Sequence, residues 1–346
     1  MRNYIKFIYI SLLMIMLSGC GSSDKDTDTN TGTNTNTDAN TNTDADTNTD
    51  AGTDPDSDSG QTEIGESADL NISTEEINIH ISGLEKEYIF LWLSDLHIIT
   101  ENDEIAAKDL ETVAGRRESF KNSAGMYSDE FWLQLSESLD DWDADALLFG
   151  GDMIDHAANA NIACLKEGLD NLDTPYIYVR ADHDYAPYYC EVQDEAAVAA
   201  LHAEIDGYEE ISLIEFEDLC LVGINDSTRQ ISATALQEMK DICEKGKPII
   251  LIIHVPLNSL YDTSLEEESK AVWDDRALVW GTNCTYTPDE TTQEFLDLVY
   301  TEDSPVKEVL AGHLHFSWDG QLTENTAEHV FAPAYPGVIG IVKVSG

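Results

Sequence analysis

Five times in this chain a short apolar run ends in aspartate or histidine. Tyr88–Ser94 leads into Asp95-Leu96-His97, Ala146–Phe149 into Gly151-Asp152, and Tyr176–Val179 into Asp182-His183-Asp184. His254 closes the run Ile249–Ile253, and Val309-Leu310 precedes Gly312-His313-Leu314-His315. Apolar runs of roughly four to eight residues between turn-forming residues are the pattern of buried strands. A chain that repeats this pattern is constrained to an open sheet interior, and the polar groups at its strand ends collect in one crevice. Five of the nine histidines fall in these positions. In Asp95-Leu96-His97 and His313-Leu314-His315 the outer residues alternate, so each pair shares one side of an extended chain and can grip one ion. Gly151 permits the sharp bend that exposes the carboxylate after it.

The intervening segments supply the layers. Ile77, Ile79 and Ile81 alternate with polar residues, which predicts a half-exposed strand with His80 on its wet face. Ser128, followed by Phe131, Trp132, Leu135 and Leu139, predicts a capped helix with an apolar stripe. Helices are also predicted at Ile162–Leu172, Glu195–Ile205, Ala233–Glu244 and Pro288–Val299. Ile211–Phe216 and Leu219–Gly223 read as a hairpin, and Val306–Leu310 as a further strand. From Phe316 to Val344 glycines separate short apolar runs without helical period, which predicts antiparallel strands. Early alternation with a strand-rich end predicts a four-layer α/β/β/α sandwich of two mixed sheets flanked by helices.

The first seventy residues are of another kind. Arg2 and Lys6 precede an apolar stretch, Phe7–Leu17, too short to span a membrane comfortably. Leu17-Ser18-Gly19-Cys20 resembles a bacterial lipobox, which implies cleavage after residue 19, lipidation of Cys20, and anchoring to the outer face of a membrane. From there to about residue 70 the chain is Asp, Thr, Asn, Ser and Gly, with no apolar face to offset its ordering entropy. It is expected to be a disordered tether, leaving one domain at 71–346.

Charge narrows the partners. Beyond residue 70 there are 55 acidic residues against 15 Lys and Arg. Such a surface repels nucleic acid, which needs a basic footprint. Most of the acid reads as solvated surface. Five cysteines remain after Cys20, an odd number with no C-x-x-C pair, so neither a disulfide framework nor a thiolate metal site is indicated. Cys220, inside an apolar run, reads as a buried thiol.

Taken in order, the motifs resemble the calcineurin-like metallophosphoesterase family, whose pattern runs D-x-H, G-D-x-x-D or N, G-N-H-D or E, a lone H, and G-H-x-H. Here they stand as Asp95-Leu96-His97, Gly151-Asp152-Met153-Ile154-Asp155, Ala181-Asp182-His183-Asp184, His254 and Gly312-His313-Leu314-His315. The resemblance implies two metal ions, Mn, Fe or Zn. Asp95, His97, Asp152 and His315 would hold one; Asp152 as a bridge, Asp182, His254 and His313 would hold the other. It implies hydrolysis of phosphomonoesters or phosphodiesters, the ions activating a water and clamping the attacking and leaving oxygens. His183, backed by Asp184, would protonate the leaving oxygen. Two residues depart from the family pattern: Ala181 replaces its glycine, and Asp182 replaces its asparagine, adding a negative charge where an anionic phosphate must sit. The rival reading is a surface-binding lipoprotein, weak or inactive as a catalyst, that keeps its metal for structure.

Outside the motifs, His80 and His329 sit on strand patterns and His202 on a predicted helix surface, while His156 follows the second motif closely enough to stand behind it. Arg180 could meet a phosphate or form an ion pair. Tyr185, Tyr188 and Tyr189 crowd the third motif. Substrate choice is expected to lie in the loops 98–127 and 261–287.

Overall fold

Strand β2 (Tyr88–Leu93) buries both of its faces from Phe90 onward, Ile89 alone being exposed. Tyr88, Phe90 and Trp92 pack into one apolar layer, and Leu91 and Leu93 into a different one. Strand β3 (Ala146–Phe149) obeys the same period of two: Ala146 and Leu148 join the first layer, Leu147 and Phe149 the second. A strand buried on both faces needs apolar material above and below it, and two packed sheets with outer helices provide that.

The computed structural model describes residues 70–190, Ala200, His202, Ala203, Ile205 and 209–346. Cys20, the expected signal and tether, and most of the helix expected at Glu195–Ile205 lie outside the described residues. The first sheet has the order β1 (Ser73–His80), β11 (Val338–Ser345), β2, β3, β4 (Tyr176–Tyr178), with only the β11–β2 pair antiparallel. The second has the order β5 (Ile211–Glu215), β6 (Cys220–Ile224), β7 (Ile249–Ile252), β8 (Val306–Ala311), β10 (Ala327–Val330), β9 (Trp318–Gln321). Its two end pairs are antiparallel and the rest parallel. Between the sheets lie Phe90, Trp92, Leu148, Ile177, Leu221, Ile250, Ile252, Leu310 and Phe331.

Helices α2 (Ser128–Ser136) and α3 (Asn159–Leu169) cover the outer face of the first sheet through Phe131, Trp132, Leu135, Ile162 and Leu165. Trp132 fits there because residue 168 is glycine: a Cβ would stand 2.2 Å from the indole nitrogen. Helices α5 (Ala233–Cys243), α6 (Ser264–Val272) and α7 (Glu290–Tyr300) cover the second sheet through Leu236, Met239, Leu265, Phe295 and Val299. Ser232 caps α5 through the Ala235 amide, and Asp289 caps α7 through that of Thr292. The four-layer sandwich expected from the sequence is the fold observed.

Three expectations need correction. The terminal segment is not a simple antiparallel meander, because β10 runs parallel to β8 and β11 parallel to β1. The expected loops contain helices α1 (Leu110–Ser119) and α6. Helix α1 buries only Val113 of its own residues, so it offered no apolar stripe to read. His202 is buried and meets the Asp184 carbonyl, rather than facing solvent from a helix. His80 is exposed on β1, as its alternation predicts. All five described cysteines are free, and Cys220 is buried.

Candidate metal centre

The loops that leave β2, β3, β4, β7 and β8 meet at one end of the two sheets. Their backbones interlock: the Asp95 amide donates to Gly151 O at 2.9 Å, that of His97 to Asp152 O at 3.0 Å, and that of Gly312 to His254 O at 3.1 Å. Asp95, His97, Asp152, His313 and His315 all have positive φ, between 48° and 71°. Side chains other than glycine adopt that conformation rarely, and such strain concentrates where function over-determines the backbone. Space is equally tight. Gly151 has φ +94°, and a Cβ there would lie 2.8 Å from His254 Nδ1. One on Gly312 would lie 2.5 Å from Asp95 Oδ2. Glycine is required at both places so that ligand loops from opposite sheets can touch.

Two donor sets result. Asp95, His97 and His315 converge: His97 Nε2 is 3.2 Å from His315 Nε2, which is 3.2 Å from Asp95 Oδ1. Asp152, His254 and His313 form the second: His254 Nε2 lies 3.2 Å from both Asp152 Oδ2 and His313 Nδ1. Asp152 Oδ2 is also 4.0 Å from His97 Nε2, which places this carboxylate between the sets. Asp182 brings an oxygen within 4.8 Å of donors on Asp152 and His183. Asp95, His97, Asp152 and His254 are buried, whereas Asp182, His183, His313 and His315 are partly exposed. The buried four make a floor, and the others form the side open to solvent.

The hydrogen bonds show that these residues fit a cation. His254 donates its Nδ1 proton to Gly150 O at 2.9 Å, which leaves a lone pair on Nε2 facing a carboxylate and another imidazole nitrogen. Buried atoms Asp152 Oδ1 and His313 Nε2 have no hydrogen-bond partner. Burial opposes a charge on His254, yet Asp152, Asp95 and Asp226 outweigh it and raise its pKa well above the ordinary imidazole value. The site demands positive charge, from protons or from metal.

Around the ligands stands a shell that the sequence only partly revealed. Asp155, the last residue of the second motif, is fully buried and serves as a hub. Arg116 from α1 reaches it at 2.5 Å, His97 Nδ1 lies 3.2 Å from it, and His156 Nδ1 3.4 Å. Burial works against its charge, but His156, His97 and Arg116 hold the carboxyl far below its usual range. A carboxylate behind a ligand imidazole fixes the ring's orientation. Phe120 stacks on the same ring, centroids 4.2 Å apart. No local motif advertises Arg116 or Phe120.

The expected His183–Asp184 pair is not what the structure shows. In α4 (Asp182–Tyr185) the Asp184 carboxylate accepts the backbone amides of Asp152, Ile154 and Ala181 at 2.8, 3.1 and 2.9 Å. It therefore ties the second and third motif loops together. His183 Nδ1 instead lies 2.6 Å from Asp155 O. The reason is geometric: neighbouring residues on a helical turn do not face each other. Asp182 has its own partners, accepting from Arg229 Nη2 at 2.7 Å and Tyr188 OH at 3.0 Å. Burial and Asp152 oppose its charge, while Arg229 and His183 outweigh them and lower its pKa.

The remaining candidates divide. Tyr188 touches the site through Asp182 and packs edge-on to His183. Tyr189 packs on His156. Arg180 is buried and lines a cavity of about 500 Å³ with Tyr185, Asn225 and Glu238. Asp226, at the end of β6, was missed altogether. It is buried and accepts from the Val255 amide at 2.8 Å, beside His254.

Two structural relatives share limited sequence with this chain. A dimetal phosphatase from Danio rerio is 9% identical, with 71% of this chain and 87% of that one covered and a TM-score of 0.45. A purple acid phosphatase from yellow lupin (Lupinus luteus) seeds is 11% identical, with 74% and 45% covered and a TM-score of 0.42. No curated protein matches by sequence. Residues 89–317, which contain every ligand candidate in both donor sets, match the calcineurin-like phosphoesterase family. The chain belongs to that family, and it is a metallophosphoesterase.

Proposed function

We propose that this protein is a lipid-anchored, extracytoplasmic phosphoesterase that hydrolyses phosphomonoesters or phosphodiesters at a two-metal centre. The observation that carries the reading is the pair of donor sets with Asp152 between them. Asp95, His97, His315 and Asp152 would hold one ion; Asp152, Asp182, His254 and His313 the other. Mixed carboxylate and imidazole donors suit Mn, Fe or Zn. When bound, a pair of such ions supplies Lewis acidity towards phosphoryl oxygens and a nucleophile at neutral pH.

The protein's own groups do the rest. Asp155 orients His97, and the Gly150 carbonyl fixes the tautomer of His254. His183 gives its Nδ1 proton to the Asp155 carbonyl. Burial opposes a charge on the ring, but Asp152 and Asp155 outweigh it and raise its pKa, so the imidazolium form would carry a second proton on Nε2 for the leaving oxygen. Asp184 holds that turn in place through three backbone amides. The partly exposed side of the cluster, with His183, Asp182, His313 and His315, is where an ester would enter.

Elemental analysis of the purified protein, with a screen of aryl phosphomonoesters and diesters in Mn²⁺, tests this directly. Turnover that a chelator abolishes is the expected result. Metal retained without turnover of any ester would favour the structural, surface-binding role. The anchor is tested separately. Cys20→Ala should move the protein from the membrane fraction to the soluble one, since acyl chains contribute about 0.8 kcal/mol per buried CH₂. Continued membrane association of that variant would assign anchoring to another segment.

A further inference from the structure

We propose that Arg229 receives the substrate's phosphoryl group at the edge of the metal centre, with Asp182 and Tyr188 holding it there. The inference rests on the proposed function and names a substrate-binding residue of that site. Arg229 follows β6, outside all five motifs. It is one of few cations in a markedly acidic domain. Its backbone has φ +59°, and its amide donates to Asp226 O at 2.7 Å in a tight turn. That turn grows directly from Asp226, whose carboxylate is tied to the loop carrying His254. The strained conformation therefore belongs to a loop anchored against the centre.

The side chain makes the case. Nη2 donates to Asp182 Oδ2 at 2.7 Å and lies 3.5 Å from Tyr188 OH. The Asp182 carboxylate in turn reaches within 4.8 Å of the Asp152 and His183 donors. The guanidinium thus stands one carboxylate away from the place where phosphorus must be attacked. Tyr286 lies on its other side, 5.9 Å from ring centroid to Cζ, and packs edge-on to His313. The Arg229 side chain keeps 58% of its surface exposed, while that of Asp182 keeps 13%. Among the described residues, its Nε and Nη1 have no hydrogen-bond partner, so the planar fork retains donors for a phosphoryl oxygen.

Binding of inorganic phosphate to the Mn²⁺-loaded protein, followed by calorimetry, separates the two roles. Arg229→Gln should weaken phosphate binding at least about tenfold and raise KM for an ester, with Mn²⁺ content unchanged. Arg229→Lys, which keeps the charge but loses the fork, should fall between. The double variant Asp182→Asn/Arg229→Gln should stay weak, because removing the anion does not replace the lost contact. Full recovery in the double variant would reduce Arg229 to a counter-ion for Asp182 and overturn the proposal. Unchanged phosphate affinity in Arg229→Gln, or loss of Mn²⁺ from it, would overturn it as well. An inactive parent protein would instead sink the phosphoesterase reading, which these comparisons among variants do not touch.

Discussion

Two places in the second sheet set histidine against carboxylates, and they are built on opposite principles. At its far edge His329 on β10 meets Asp319 Oδ1 through Nδ1 at 2.6 Å and Glu308 Oε2 through Nε2 at 3.2 Å. Each nitrogen has its own acceptor, as a protonated imidazole requires. At the strand ends His254 gives one nitrogen to a carbonyl and turns the other, a lone pair, towards Asp152 and His313. The first cluster completes itself with a proton; the second crowds a carboxylate and a further imidazole against one Nε2 and could be completed by a metal ion. Backbone strain follows the same division. Asp95, His97, Asp152, His313 and His315 have positive φ, whereas His329, Glu308 and Asp319 do not. Clusters of like composition are thus told apart by donor–acceptor balance and by strain.

The largest effect should come from Asp152, the carboxylate between the two donor sets and the proposed bridge. Asp152→Ala should cost more than the ~10–100-fold in metal affinity typical of outer-shell partners. It should lower the content of both ions, whereas His97→Ala and His254→Ala should each lower one more than the other. Elemental analysis and metal titration read this out. Equal metal content in Asp152→Ala and the parent would show that Asp152 does not bridge the two sites.

How much of this was legible beforehand depended on whether the signal was local. Strand-end ligands are local: the apolar run, the turn and the polar residue adjoin in sequence, so β3 could be placed at Ala146–Phe149 and Asp152 beyond it. The unbroken apolar run of β2 likewise pointed to a buried strand. Arg116, Phe120 and Arg229 were not legible, because each reaches the centre from a segment whose composition carries no metal or strand pattern. The expected His183–Asp184 contact is absent because neighbours in sequence need not touch: α4 turns the two side chains apart. Parallel pairing of β10 with β8 and of β11 with β1 depends on partners distant along the chain, which no short window contains.

A smaller effect is expected at His183, which stands between the two kinds of histidine. Its Nδ1 is satisfied by a carbonyl, as in His254, but its side chain is 23% exposed and sits at the open side. If it moves a proton rather than holding metal, His183→Gln should lower kcat by about 10²–10⁴-fold. Metal content and KM should change little. Loss of an ion from that variant would move His183 into the coordination shell and blur the distinction between floor and rim.

The smallest effect should appear at His329, and its sign with pH is fixed by the pair around it. Burial opposes the imidazolium, but the hydrogen bonds and charges of Asp319 and Glu308 outweigh it and raise the pKa from 6.5 to about 9. The folded protein therefore binds this proton more tightly than the unfolded chain does. That stabilisation is fully present below about pH 6.5 and is lost as the pH rises through about 9. His329→Gln should thus destabilise the fold by roughly 1–3 kcal/mol at pH 6, allowing for the exposed Asp319 partner, and by much less at pH 10. Urea unfolding of parent and variant at the two pH values measures the difference, with other titrations cancelling between them. Metal content and turnover should not move. A cost independent of pH would show that His329 is held neutral by packing alone. A fall in bound metal would place a cation at this edge too, and the contrast with the strand-end cluster would be gone.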